Sequence, residues 1–334
     1  MKHHRITGLL IALALLGCQP TAPVQARKGE LTSKPRSEPT TAHVVKWAED
    51  CTANIQAALD MGGTVVIPYV GKVWANVDRL FLPSDTNLKI EAGVVLEARR
   101  GVSPDLGAAF LNIIDAENVT IQADGATARG WRMELTNADK VPHSEWRHGA
   151  RVMRSSHVRI YGLTIENFGG DGFYINDVID LQMTRVTCAD NYRNGLTIIS
   201  GQAILVTDCE FLATRGHHPQ AGVDIEPNNA TDELFGIVFR RCLAEGNNGA
   251  GFLAHFDQLN STSPRVMVYF LDCTSRDNRT ATPIVVALHG LPPKSKVEFR
   301  GCTFWGERWI GQDIAEYSDC KWISSTQTVE TSDG

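Results

Sequence analysis

An eight-residue pattern recurs along the chain, apolar at positions one, three, six and eight. It reads Val158-Arg159-Ile160-Tyr161-Gly162-Leu163-Thr164-Ile165, then Leu181 to Cys188, Ile204 to Phe211 and Ile237 to Ala244, with further copies counted as Val266 to Cys273 and Val297 to Phe304. Alternation of period two turns one side of a strand inward. The break between positions three and six marks a corner from which the next short strand sets off. Between these strands a glycine opens a second apolar run at Gly149, Gly172, Gly195, Gly222 and Gly251, in steps of 23, 23, 27 and 29 residues. Self-similarity at such a period, with no helical stretch between copies, predicts an all-β fold: a single-stranded right-handed parallel β-helix, or solenoid. Thr52 to Met61 carries apolar residues at helical spacing and ends at Gly62-Gly63, which predicts a short N-terminal helix. A solenoid's open end exposes core and unpaired strand edges, so this helix is expected to cap the first coil.

Thr64 to Ala98 and Ala109 to Asp124 supply the early strands, while Trp131 to Trp146 is a polar interruption and Asp257 to Pro264 another loop. Insertions in a solenoid map to one face, often the binding face. From Trp305 to Gly334 the pattern fades, which reads as a tail or C-terminal cap.

Several stretches resemble the pectin-lyase-like right-handed parallel β-helix superfamily, and within it bacterial parallel β-helix repeat proteins. They are Glu145-Trp146-Arg147-His148, Gly169-Gly170-Asp171-Gly172, Ala221 to Asn228, and the opening Asn54 to Asp60 followed by Gly62 to Pro68. The resemblance spans Cys51 to Phe304. It implies the fold and leaves the reaction open, because the superfamily hosts hydrolases, lyases, epimerases and non-enzymes.

The ends divide the chain. Residues 1–18 read as a lipoprotein signal peptide, with a basic start (Lys2, His3, His4, Arg5), a short apolar run and Leu15-Leu16-Gly17-Cys18, which looks like a bacterial lipobox. The apolar run is too short to span a bilayer, so anchoring is expected through a diacylglycerol on Cys18. Residues 19–44 are rich in Pro, Thr, Ser, Lys and Arg and read as a flexible linker. Residues 45–334 form the β-helix domain. The expected location is the periplasm or the cell surface, attached to the outer membrane. The formal charge of −6 becomes −8 once Lys2 and Arg5 leave with the signal. An acidic domain argues against a nucleic-acid partner; the expected partners are a polysaccharide or oligosaccharide and the membrane, with the protein a monomer. Of eight cysteines, Cys209, Cys242 and Cys302 share one inward position and Cys188 and Cys273 another by this count. Such repetition fits free thiols packed in the core; none has zinc-ligand spacing.

Aligning the glycines turns the sequence into columns. One outward column reads Arg151, Tyr174, Thr197, Asp224, Leu253, and two residues on it reads Met153, Asn176, Ile199, Glu226, His255. Just before the glycines stand His148, Asp171, Asn194, Ala221 and Ala250, preceded by Arg147, Gly170, Arg193, Gln220 and Gly249. With coils about 4.8 Å apart, titratable groups from several coils converge on one face. Asp224 and Glu226 are expected side by side and solvent-facing, about 7 Å apart, with Asp171 about 10 Å from Asp224. Paired carboxylates can separate their proton affinities, leaving one as an acid and one as a base for glycoside hydrolysis. Asp224, Glu226, Asp171 and His148 are the catalytic candidates. Arg147, Arg193, Tyr174, His255, His218 and Trp146 are the substrate-binding candidates, arginines because they grip carboxylate or sulfate and Tyr174 as a stacking platform. No metal site or cofactor is expected; Ca²⁺ is the one ion weighed, on the oxygens of Asn176, Asn228, Asp190 and Asn191.

No lysine lies between Lys140 and Lys294. A lyase with a lysine base would have to borrow Lys140, which moves the reading toward a glycoside hydrolase. A lyase or uronate epimerase acting by proton abstraction with Arg or His as base, and a non-catalytic glycan-binding envelope lipoprotein, are the alternatives.

Overall fold

The computed structural model describes residues 42–101, 109–135, 144–280, 283–306 and 314–324. The signal, Cys18 and the linker up to residue 41 lie outside the described residues, as does half of the Trp131–Trp146 interruption, residues 136–143. Of that stretch, Arg132–Leu135 is a helical turn and Ser144–Trp146 a 3₁₀ turn.

The described strands are parallel and form two sheets wound as a right-handed β-helix. In two coils one long strand, Ala150–Tyr161 and then Phe173–Thr184, combines a glycine-led run with the first half of the eight-residue pattern; in later coils the two runs are separate strands, as in Leu196–Ile198 and Gly201–Thr207. A corner follows, and a short strand such as Thr164–Glu166 or Thr187–Ala189 enters the second sheet. The corner is position five of the pattern. Gly162, Arg185, Asp208, Arg241, Asp272 and Gly301 stack there with φ between 50° and 69°, a left-handed conformation that costs side chains other than Gly, Asn and Asp. Ion pairs lock two of these corners: Arg185 to Asp124 at 2.8 Å and Arg241 to Asp208 at 2.7 Å.

The glycine columns hold. Ala150, Phe173, Leu196, Val223 and Phe252 stand in register and are buried in one stack. A neighbouring stack places Phe239, Phe270 and Phe299 with ring centroids 4.7 and 4.3 Å apart, each such pair contributing about 0.5–1.5 kcal/mol beyond its area. The glycines are dictated by close approach. A Cβ on Gly195 would sit 2.5 Å from the Gly222 carbonyl oxygen and 3.1 Å from Phe211. The N-terminal helix spans Thr52–Asp60, buries Ile55, Ala58 and Leu59, and ends at Gly62 with φ 69°.

Two sequence expectations change. Val268, not Val266, pairs with Val297, so the copy counted from Val266 starts two residues too early. Cys273 therefore joins Cys209, Cys242 and Cys302 in one column and does not share a column with Cys188, which stands opposite Phe211. A two-residue slip preserves which side faces in, so alternation cannot detect it. The seven described cysteines are free thiols. Past Trp305 the repeat also continues: Glu316–Ser318 pairs with Lys296–Arg300, and Lys321–Ile323 pairs with Thr303–Trp305.

Candidate active site

The site lies where the tight turns meet the glycine runs. His148, Asp171 and Asn194 precede Gly149, Gly172 and Gly195, and their carbonyls are stitched coil to coil: Gly149 N–H donates to the Asp171 oxygen at 2.8 Å and Gly172 N–H to that of Asn194 at 2.9 Å. Fixed turns of this kind bring His148, Asp171 and Asn194 into one stack, with Arg193 beside it.

The Arg193 guanidinium gathers three carboxylates. Nη1 is 3.2 Å from Asp171 Oδ2, while Nη2 is 2.8 Å from Glu226 Oε2 and 3.8 Å from Asp224 Oδ2. Asn194 ties the two aspartates together, its backbone N–H donating to Asp171 Oδ1 at 3.1 Å and its Nδ2 to Asp224 Oδ2 at 3.0 Å. Thr197 Oγ1 accepts a second Nδ2 bond at 3.0 Å. Asp224 Oδ1 is buried with no hydrogen-bond partner.

Asp224 corrects the sequence expectation. It alternates with the core residues Val223 and Ile225 and turns toward Arg193 as the columns require, yet it is not solvent-facing: Asp171 and Asp224 are both 0% exposed. Alternation reports direction, not cover, and here the Arg193 side chain overlies the outward row. Glu226, with its side chain 34% exposed, is the carboxylate of the three that reaches solvent. Asp171 and Asp224 both reach the same guanidinium, at 3.2 and 3.8 Å.

Burial sets the proton affinities. Desolvation pushes the Asp171 carboxyl up to about 6 against the opposing pull of Arg193. Desolvation, reinforced by the Glu226 charge, raises Asp224 well above the carboxylate range. Burial, with Arg151 and Arg193 nearby, drives His148 well below the ordinary histidine value, so it is neutral. Its Nδ1 accepts the Asp171 backbone N–H at 3.0 Å, which leaves the ring proton on Nε2. The imidazole stacks on Tyr174 at 4.9 Å, and Arg151 lies 5.6 Å from the same ring. Tyr174 thus has one face already covered by His148.

Other candidates fall elsewhere. His255 pairs with Asp257 at 2.6 Å and not with the acids. His218 is exposed on the turn before Ala221, and Trp146 is 47% exposed. Arg147 is half-buried, and desolvation lowers its pKa. Asp190 pairs with Arg215, and Asn191 is buried with its oxygen bound by the Phe168 N–H, so these two oxygens serve the coils. Among the described residues no cluster of three or more His, Cys, Asp or Glu side chains could hold a metal ion. Asn194 and Thr197 are the residues the sequence reading passed over. Asn194 had a visible signal, its place in the column of His148 and Asp171.

A family model described as "Right handed beta helix region" matches residues 112–232. No curated protein matches. Among solved structures, the polygalacturonase from Erwinia carotovora ssp. carotovora aligns with TM-score 0.58 at 14% identity, covering 89% of this chain and 97% of its own. The catalytic domain of a GH87 alpha-1,3-glucanase in complex with tetrasaccharides aligns with TM-score 0.52 at 13% identity, covering 91% of this chain and 52% of its own. At such identities the likeness is one of fold.

Proposed function

We propose that this chain, which shares the right-handed parallel β-helix fold of the polygalacturonase and glucanase above, is an exported, lipid-anchored carbohydrate-active enzyme that hydrolyses a polysaccharide. The observation that carries the reading is the gathering of Asp171, Asp224 and Glu226 on the Arg193 guanidinium. Three ionised carboxylates around that cation would leave surplus negative charge in a desolvated site, so the cluster retains a proton near neutral pH. A retained carboxyl proton is what protonation of a glycosidic oxygen requires.

The roles follow from exposure. Asp224 and Glu226 act as a proton-sharing pair, and Glu226, at the rim, delivers the proton to the leaving oxygen as the C–O bond breaks. Asp171, ionised above about 6, draws the proton from the water that attacks the anomeric carbon. Asn194 and Thr197 hold the buried oxygens in place, and His148, neutral, braces Asp171 through its backbone. Both aspartates lie under Arg193, so substrate engagement requires that side chain to swing aside. The two solved β-helices above bear names of polysaccharide-acting enzymes, which supports the substrate class by analogy of fold alone.

One observation favours a second reading. Desolvation lowers the proton affinity of Arg147, the change an arginine base needs for proton abstraction in a lyase or epimerase. Arg193 is unsuited, because its carboxylates raise its proton affinity. His148 is unsuited because its Nδ1 lone pair is already engaged.

The test is reducing-end release from a polysaccharide panel. Asp224→Asn and Glu226→Gln are each expected to lower turnover by about 10² or more, the scale of positioned proton transfer. Near-normal turnover of both variants would sink the hydrolase reading. A product absorbing as an unsaturated uronate would replace it with the lyase, and saturable binding without any product with a glycan-binding protein.

A further inference from the structure

A second concavity opens beside the acid row. It encloses about 480 Å³ and is lined by Asn176, Asp177, Ser200, Gln202, Asp232 and Glu233, with Ile179 and Arg154 also on its wall. That volume lies within the usual range of small-molecule pockets. Its position is set by register. Tyr174, Thr197 and Asp224 share a row, so Asn176 lies in the outward row of Glu226, two coils away. The loop that starts at Glu226 runs on to Asp232 and Glu233, and so walls both sites.

The walls are fixed before any ligand arrives. Ser200 Oγ donates to Asn176 Oδ1 at 2.9 Å and accepts the Asp177 backbone N–H at 2.8 Å. Asp232 Oδ2 accepts the backbone N–H groups of Asn228 and Asn229 at 2.7 and 2.8 Å, and the Gln202 amide donates to Glu233. Apolar surface is left open alongside. Ile179, Gln202 and Phe235 are cross-strand neighbours, and Ile179 and Phe235 are each 41% exposed. Exposed apolar side chains next to fixed hydrogen-bonding groups suit a sugar ring, which presents C–H faces and hydroxyl edges.

Charge narrows the class. Three carboxylates face the cavity, and the cation on its wall is already engaged: Arg154 holds Asp115 through two bonds of 2.6 and 2.7 Å. A uronate or sulfated sugar would bring like charge here, where Arg154 is committed to Asp115 and Arg265, over the Phe235 ring at 4.9 Å, is not among the lining side chains. An ammonium group would meet acceptors.

We propose that this cavity is the subsite for the sugar next to the scissile one, and that it selects an amino sugar carrying a free ammonium group over a uronate. This rests on the hydrolase reading for the word scissile only, and binding is measured apart from cleavage.

Calorimetric titration of the full chain with tetramers of glucosamine, N-acetylglucosamine and galacturonic acid tests it. Exposed ion pairs contribute about 0.2–1 kcal/mol each, so three carboxylates set a preference of about tenfold for the glucosamine tetramer over the galacturonate. The double variant Asp177→Asn, Glu233→Gln, which leaves Asp232, is expected to cut that preference to about twofold. Raising the salt should weaken binding of the glucosamine tetramer and spare the N-acetylated one, a readout on the wild-type chain that stands whether or not the variant folds. Equal or tighter binding of galacturonate, an unchanged preference in the double variant, salt dependence shared by both hexosamine tetramers, or no binding by any of the three would each overturn the proposal. A charge preference with no reducing ends released would leave the pocket standing and sink the hydrolase reading.

Discussion

Replacing Asp171 with asparagine should make the protein more stable at neutral pH, against the usual expectation for a buried residue with several hydrogen bonds. Burial pushes the Asp171 carboxyl from 3.8 up to about 6. At 1.36 kcal/mol for each tenfold change in proton affinity, that rise corresponds to about 3 kcal/mol. The sign follows from linkage. A carboxyl with raised affinity in the folded state favours folding fully below pH 3.8, and that contribution is lost as pH rises through about 6. At pH 7.5 the native state therefore bears the whole cost of an ionised, desolvated Asp171. Asparagine keeps the shape and carries no charge. The gain of Asp171→Asn over wild type is expected to be about 3 kcal/mol at pH 7.5, about 1 kcal/mol at pH 4.5, and to vanish below pH 3.8. The difference between the proteins is the proper readout, because His148 works in the opposite sense. Its depressed affinity contributes stability that is lost as pH falls below 6.5, and the difference removes the part of that loss common to both proteins. Urea midpoints followed by far-UV circular dichroism across this range measure it. A variant less stable than wild type at pH 7.5, or a difference that does not shrink on acidification, refutes the reasoning.

Two further outcomes follow from the fold and the chain's start. Gly195→Ala should destabilise by about 3 kcal/mol, since its Cβ would lie 2.5 Å from the Gly222 carbonyl oxygen; Gly246→Ala, at φ 66° with nothing within 4 Å, should cost only about 1 kcal/mol of backbone strain, and thermal melts giving equal losses would contradict the close-approach account. Cys18→Ser should move the protein from the membrane to the soluble fraction of the producing cell while its circular dichroism is unchanged, and continued membrane association would remove the lipid anchor from the proposed function.

The coil was legible because each constraint falls at the same place in every repeat. Close approach forces glycine at 149, 172, 195, 222 and 251, and four of the six corner residues are Gly or Asp, which tolerate left-handed backbone, so both mark the sequence periodically. Steps of two residues leave no such mark. Counting from Val266 in place of Val268 kept every side chain on its proper face and still put Cys273 in the wrong column. Only cross-strand pairing, which depends on the neighbouring coil, resolves that frame.

The candidate site was half legible for a related reason. Columns bring His148, Asp171, Asp224 and Glu226 to one face, because stacking is a property of the repeat. Cover is not. Arg193 belongs to the same columns, and nothing in its position says that its guanidinium overlies Asp171 and Asp224 instead of pointing to solvent. That one side-chain direction decides the chemistry. Left open, two aspartates would be ordinary surface carboxylates, ionised at neutral pH and useless as acids. Covered and outnumbering their cation, they favour a retained proton, which in the proposed hydrolase Glu226 would pass to the outside. In the proposed function the same cover keeps substrate out, so a glycan would have to displace Arg193 from at least one carboxylate. A sugar hydroxyl reaching Glu226 first would break the bond at 2.8 Å and loosen the guanidinium's hold on Asp224, so binding at the rim and exposure of the acid are one event.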